Sequence, residues 1–204
     1  MIRPPAPRRL RLANAHTGES FEGAYRDDQG PIPRVMQELS TFLRDFHCGA
    51  TIEIDVGVLD FLGDVLDAAG ATQATILSAY RTAETNAMLA RTTFGVAEHS
   101  QHILGRALDF HLDARLEDAM LAARKMERGG VGWYPHSGFI HIDTGPVRTW
   151  TLDEGGLRDL LLFDGGRLTI SADGLLQAHR PLSVGQRLAL HRQLARAEFL
   201  ARQH

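Results

Sequence analysis

Two short apolar segments of this chain carry imidazoles and carboxylates where core residues are expected. In R-A-L-D-F-H-L, residues 106–112, strand alternation puts Ala107, Asp109 and His111 on one face and Leu108 and Phe110 on the other. In F-I-H-I-D-T, residues 139–144, it puts Phe139, His141 and Asp143 on one face, with Ile140 and Ile142 opposite. If the polar faces are neighbours, Asp109 and His141 converge on one point. Gly105 lets the chain turn ahead of the first strand, so that His102 swings back to the same point. Two imidazoles and a carboxylate make a three-ligand zinc site with an open fourth position, the pattern of catalytic rather than structural zinc. A water held there has its pKa lowered toward neutrality. A single histidine on a strand is more often a satisfied or half-exposed residue than a ligand. Here His99, His102, His111, His136 and His141, five of the ten histidines, fall within 43 residues, and two of them lie on acid-bearing strands.

The elements that must position these residues are legible around them. R-L-R-L-A-N, residues 9–14, alternates as a short strand does, behind a Pro- and Arg-rich arm at 1–9. Val35, Leu39, Phe42, Leu43 and Phe46 have helical spacing over 33–46, with Pro33 in the first turn. A second helix is expected over 55–69, with Asp55 as N-cap. T-Q-A-T-I-L-S-A-Y-R reads as a strand running into a turn at Tyr80-Arg81, followed by a helix over 83–92 and a loop over 93–101. A helix over 114–127, closed by Gly129-Gly130, precedes two short strands joined by the turn P-H-S-G at 135–138. After Trp150 the pattern changes. Asp164-Gly165 between apolar runs signals a hairpin, and 184–202 reads as an Arg-rich amphipathic helix.

Composition narrows the function classes. The 204 residues suffice for one domain, or one domain with an appendage. A net charge of −3 gives no bulk electrostatic case for nucleic acid or an anionic membrane. The lone cysteine, Cys48, cannot form an internal disulfide and excludes cysteine-based zinc fingers and iron–sulfur clusters. No apolar run is long enough for a membrane span. The N-terminus has no apolar stretch of signal-peptide type as it stands. Nothing in the sequence fixes the oligomeric state.

The pattern S-x-H-x-x-G-x-A-x-D, met as Ser100, His102, Gly105, Ala107 and Asp109 and followed by the H-x-D strand, resembles the zinc peptidase clan of D-Ala-D-Ala peptidases, lysostaphin-type endopeptidases and hedgehog domains. The likeness is closest to the MepK (YcbK)-like murein endopeptidase branch. It is carried by L-A-N-A-H-T-G-E at 12–19, S-A-Y-R-T-A-E-T-N-A-M-L at 78–89, G-V-A-E-H-S-Q-H-I-L-G-R-A-L-D at 95–109 and G-G-V-G-W-Y-P-H-S-G-F-I-H-I-D-T-G at 129–145. It spans about residues 9–150, whereas 151–204 matches nothing in that family.

The resemblance implies His102, Asp109 and His141 as zinc ligands. It implies Arg81 as the guanidinium that grips substrate or a developing oxyanion, against the plain alternative of a salt bridge. Ser100 and Gln101 would line the cleft. Many clan members carry a carboxylate three residues before the last zinc histidine, and here Gly138 stands there. The proton carrier is then His136, in the tight turn, or Asp143, which could instead orient a ligand imidazole. His111 stands where the branch leads one to expect arginine, and is either an extra ligand or a group behind one. Trp133 and Tyr134 border the site strands. The expected fold is α+β: a small antiparallel sheet, helices on one side and a zinc cleft on the other, of the hedgehog/D-Ala-D-Ala peptidase type, with a C-terminal hairpin and helix. Residues 10–150 form the peptidase domain in this reading, and 151–204 an extension that packs on it, covers the cleft or docks a partner. The implied activity is zinc-dependent hydrolysis of peptidoglycan crosslinks, in the periplasm or cell envelope, with an export signal not present in this chain. The neighbouring readings are a zinc D,D- or L,D-carboxypeptidase and an inactive peptidoglycan-binding module.

Overall fold

The computed structural model describes residues 6–92, 100–135, 137–151, 168–170 and 176–178. Strands β1 (Arg8–Asn14), β2 (Ser20–Asp27), β3 (Gly30–Pro31), β4 (Ala74–Ser78), β5 (Ala107–His111), β6 (Gly130–Tyr134), β7 (Phe139–Asp143) and β8 (Arg148–Thr151) form one sheet. Their order is β3-β2-β1-β4-β5-β7-β6-β8. The sheet is therefore large and mixed, not the small antiparallel sheet the sequence led us to expect. Two pairs run parallel, β1 with β4 and β6 with β8. The first is possible because a long helical crossover separates its strands. The second adds a strand whose sequence, R-T-W-T, has no apolar face by which to recognise it.

The helices are α1 (Pro33–Phe42), α2 (Val56–Ala69), α3 (Ala83–Thr92) and α4 (Leu116–Met126). Asp55 caps α2, accepting from Gly57 N at 2.8 Å. α1 is shorter than its apolar spacing allows. Asp45 turns its side chain onto the backbone of His47 at 3.0 Å and Thr82 at 2.9 Å, and these bonds compete with further helix. α4 is closed by Glu127 at φ 50° rather than by the two glycines, and Gly130 already belongs to β6. The arm gives way to β1 at Arg8, whose guanidinium pairs with Asp64 of α2.

One face of the sheet is apolar. Leu108 and Phe110 of β5, Ile140 and Ile142 of β7 and Val131 of β6 are buried with α2 residues Val58, Phe61, Leu62 and Val65 and with Ala119 and Ala123 of α4. Burying the alternate residues on this side leaves Asp109, His141 and Asp143 on the other. At that end of the sheet the second face is shaped by two glycines of β6. Gly132 pairs with His141 of β7 on one side and with Trp150 of β8 on the other; Gly130 pairs with Arg148. A Cβ on Gly132 would lie 2.5 Å from Cε2 of Trp150, and one on Gly130 would lie 2.5 Å from Nη1 of Arg148. The bare strand lets two side chains of β8 lie across β6 toward β7.

A separate compact unit, formed by residues 87–98 and 152–204, contains the antiparallel pair β9 (Leu168–Ile170) and β10 (Leu176–Ala178). The expected turn at Asp164-Gly165 and the helix over 184–202 lie outside the described residues. Gly132→Ala is expected to displace Trp150. The predicted result is about 1–3 kcal/mol of lost stability from overpacking, read as a lower thermal midpoint with a red shift of indole emission.

Candidate metal centre

Three chain segments deliver the three expected ligands. His102 sits on a one-turn 3-10 helix, Gln101–Leu104, capped by Ser100 Oγ, which accepts from His102 N at 3.3 Å. Gly105 ends that turn at φ +66°, where a Cβ would lie 2.8 Å from Ile52 Cγ2, so the reversal into β5 requires glycine. Asp109 and His141 are direct partners in the β5–β7 ladder. His141 Nδ1 lies 2.8 Å from Asp109 Oδ1 and 3.3 Å from His102 Nε2, which is 3.2 Å from Asp109 Oδ2. One ligand atom from each residue lies within 4.8 Å of the others, and all three residues are buried.

The outer nitrogens fix which atoms face inward. His102 Nδ1 donates to the Ala79 carbonyl at 2.5 Å, which leaves Nε2 as a lone pair. His141 Nε2 donates to Asp143 Oδ2 at 2.9 Å, which turns Nδ1 inward. The inward nitrogens of the two imidazoles and the Asp109 carboxylate then face one another in a buried space, an arrangement that a cation could fill in place of the His141 proton. The donor set of two nitrogens and one oxygen, each oriented from behind, fits a divalent metal with a free coordination position.

The charges follow the same logic. Burial, then the Arg81 guanidinium, brings His102 down to a pKa of about 4, so its ring is neutral near pH 7. Burial opposes the charge on Asp109, but His102 and His141 reverse that and hold its carboxyl well below the usual range. Burial also opposes protonation of His141, yet the two flanking aspartates win and raise its pKa. Asp143 is likewise lowered, since His141 and Arg148 outweigh its burial.

Asp143 is fully buried, and its oxygens are taken up by Gly130 N, Gly145 N, Arg148 and His141. It stands behind His141. Arg81 donates from Nε to Ser78 Oγ and from Nη2 to Asp109 Oδ2, both at 2.7 Å. Gln101 packs against Gly145, and its Oε1 is buried with no hydrogen-bond partner among the described residues. His111 does not join the three ligands; its Nδ1 donates to the Gly138 carbonyl at 2.6 Å. Trp133 packs against the core from the opposite face, whereas Tyr134 stacks on Phe139 at 4.2 Å. His136 lies outside the described residues.

Three participants are absent from the sequence reading. Asp45 holds the backbone of Thr82, next to Arg81. Arg148 binds Asp143, and Trp150 lies 5.2 Å from the His141 ring. The alternation of R-x-W after G-P-V would have marked the last two had it been read as a strand. The motif A-N-A-H-T-G-E also gains a role. Asn14 Oδ1 accepts from His16 and Thr17, and His16 Nε2 bonds the Leu77 carbonyl at 2.8 Å, beside the Ser78–Ala79 segment of the site.

The His–Asp–His group, brought together by a 3-10 turn and two strands with its imidazoles oriented, could hold a metal ion. Comparison with known proteins gives the family. The family model described as peptidoglycan L,D-endopeptidase MepK matches residues 3–150. The peptidoglycan L,D-endopeptidase MepK of Escherichia coli strain K12 is 40% identical over 148 residues, which is 72% of this chain and 81% of that protein. The probable peptidoglycan L,D-endopeptidase MepK of Haemophilus influenzae is 37% identical over 153 residues, 74% of this chain and 82% of that protein. No solved structure matches. The chain belongs to the MepK family of peptidoglycan endopeptidases, and so to the hydrolytic enzymes.

Because the raised pKa of His141 marks a proton that a metal must displace, acid should weaken metal binding. Titration of the protein with zinc is expected to show affinity falling by up to about tenfold per pH unit below the His141 pKa, with about one proton released per ion bound.

Proposed function

We propose that this protein is a zinc peptidase that cleaves peptidoglycan stem-peptide crosslinks. The observation that carries the reading is the convergence of His102 Nε2, Asp109 and His141 Nδ1, each oriented from behind, in a chain of the MepK family. Bound zinc would act as a Lewis acid on the scissile amide and activate a water. His102, Asp109 and His141 would hold it, with Asp143 fixing the His141 ring rather than carrying protons. Arg81, anchored by Ser78 and Asp109, would present its remaining donors to the oxygen that gains negative charge. Ser100 would keep His102 in place through the cap, and Gln101 would offer its buried carbonyl oxygen. His136 would move the proton to the leaving amine, since imidazole as a side-chain type titrates near neutral pH. The L,D designation of the relatives favours the diaminopimelate–diaminopimelate crosslink, between an L-centre and a D-centre. That substrate lies in the periplasm or cell envelope. Residues 10–150 would form the catalytic domain and 151–204 an extension to it.

Elemental analysis is expected to find about one zinc per chain, lost in His102→Ala and Asp109→Ala. Purified muropeptide dimers should become monomers with the parent protein and remain dimers with either variant. Zinc without cleavage of any muropeptide would replace the enzyme by a binding module, and release of a single terminal D-amino acid would indicate a carboxypeptidase. Arg81→Lys is expected to keep its zinc and lose roughly 10²–10³-fold in kcat, since an ammonium cannot reproduce the fork.

A further inference from the structure

The three candidate ligands do not account for the last strand of the sheet. β8 contributes no ligand, yet its two inward residues converge on His141. Arg148 binds Asp143 through both ends of its fork, Nη2 to Oδ2 at 2.7 Å and Nη1 to Oδ1 at 3.0 Å. Asp143 in turn holds His141 Nε2 at 2.9 Å. The guanidinium lies 5.2 Å from the Trp150 ring, and that ring lies 5.2 Å from the His141 ring. Trp150 is fixed by donating from Nε1 to Tyr134 Oη at 2.9 Å. These contacts cross β6 only because Gly130 and Gly132 carry no side chains there.

We infer that Arg148 is a positioning residue of the metal centre, setting the orientation of His141 through Asp143. The inference rests on the metal assignment proposed above. An arginine with 44% of its side chain exposed would ordinarily form a surface ion pair of little consequence. Its partner here is a carboxylate with 0% exposure, and the pairing is bidentate, the geometry in which a guanidinium fixes direction as well as charge. Asp143 has two backbone donors, from Gly130 and Gly145, on Oδ1 alone. Oδ2, the oxygen that meets His141, takes its other bond from Arg148. Without that bond the carboxylate can rotate about its χ2 angle, and the imidazole loses the contact that aims Nδ1 at the metal position. A fixed outer contact of this kind changes metal affinity by roughly 10–100-fold.

The test is zinc titration of the full chain against a competing chelator, at one pH, for the parent protein, Arg148→Ala, Arg148→Lys, Asp143→Asn and the Asp143→Asn/Arg148→Ala pair. Thermal melts without zinc report folding separately. Arg148→Ala is expected to weaken zinc binding by roughly 10–100-fold, and Arg148→Lys to recover part of it. In the Asp143→Asn background, Arg148→Ala should change affinity by less than about twofold, as the cycle requires if Arg148 acts through Asp143. Should Asp143→Asn fail to fold, the ordering of the parent, lysine and alanine proteins decides alone. Zinc affinity in Arg148→Ala within about twofold of the parent, with only the zinc-free melt lowered, would overturn the inference and leave the peptidase reading intact. Tight zinc binding by the parent with no muropeptide cleavage would overturn the peptidase reading and leave this inference standing.

Discussion

The site depends on one register. β5 and β7 pair so that Asp109 lies directly opposite His141. Because alternation has period two, a slip of one residue would carry the carboxylate or the imidazole into the core and leave Leu108 or Ile140 on the site face. The buried side enforces the register, since Leu108, Phe110, Ile140 and Ile142 are all fully enclosed beneath α2 and α4. The hydrophobic effect thus fixes an electrostatic arrangement on the opposite face. Moving any of these four side chains into water would cost on the order of 1.5–3 kcal/mol, more than a free polar pair could offset.

Around that register the structure gathers groups that would be costly if left alone. The cost of burying Asp143 is offset because five hydrogen bonds from four residues meet its two oxygens. His102 is buried neutral, tied to the Ala79 carbonyl. Asp109 faces two imidazoles and Arg81. Each outer contact removes one orientation from a ligand, so a metal would meet donors already aimed. This is what distinguishes the site from a chance cluster of histidines: the inward atoms of His102, Asp109 and His141 meet one another, while the outward imidazole nitrogens are held by the Ala79 carbonyl and Asp143.

The glycines of β6 connect the fold to this arrangement. A strand of five residues with Gly130 and Gly132 on its site face leaves a trough between β7 and β8. Arg148 and Trp150 fill it. The parallel docking of β8 beside β6 therefore places the residues that brace His141 from the side away from β5. It also makes the sheet mixed, where a reading of the ligand strands alone gives a small antiparallel sheet.

What the sequence determined by itself is local: which residues share a strand face, where helices are capped, and which types are suited to a metal. Alternation put Asp109 on the face with His111, and His141 on the face with Asp143, and Gly105 announced the reversal that returns His102. The motifs also carried the family. Tertiary structure decided what alternation cannot. It set His111 on the Gly138 carbonyl, apart from the His102–Asp109–His141 group, and Asp143 on His141 Nε2, the nitrogen that faces away from that group. It brought Asp45, Arg148 and Trp150 to the site from segments outside the strands that carry Asp109 and His141. The physical reason is range. Faces and caps follow from neighbours a few residues away, whereas the partner of a buried charge is chosen by which strands the sheet sets side by side.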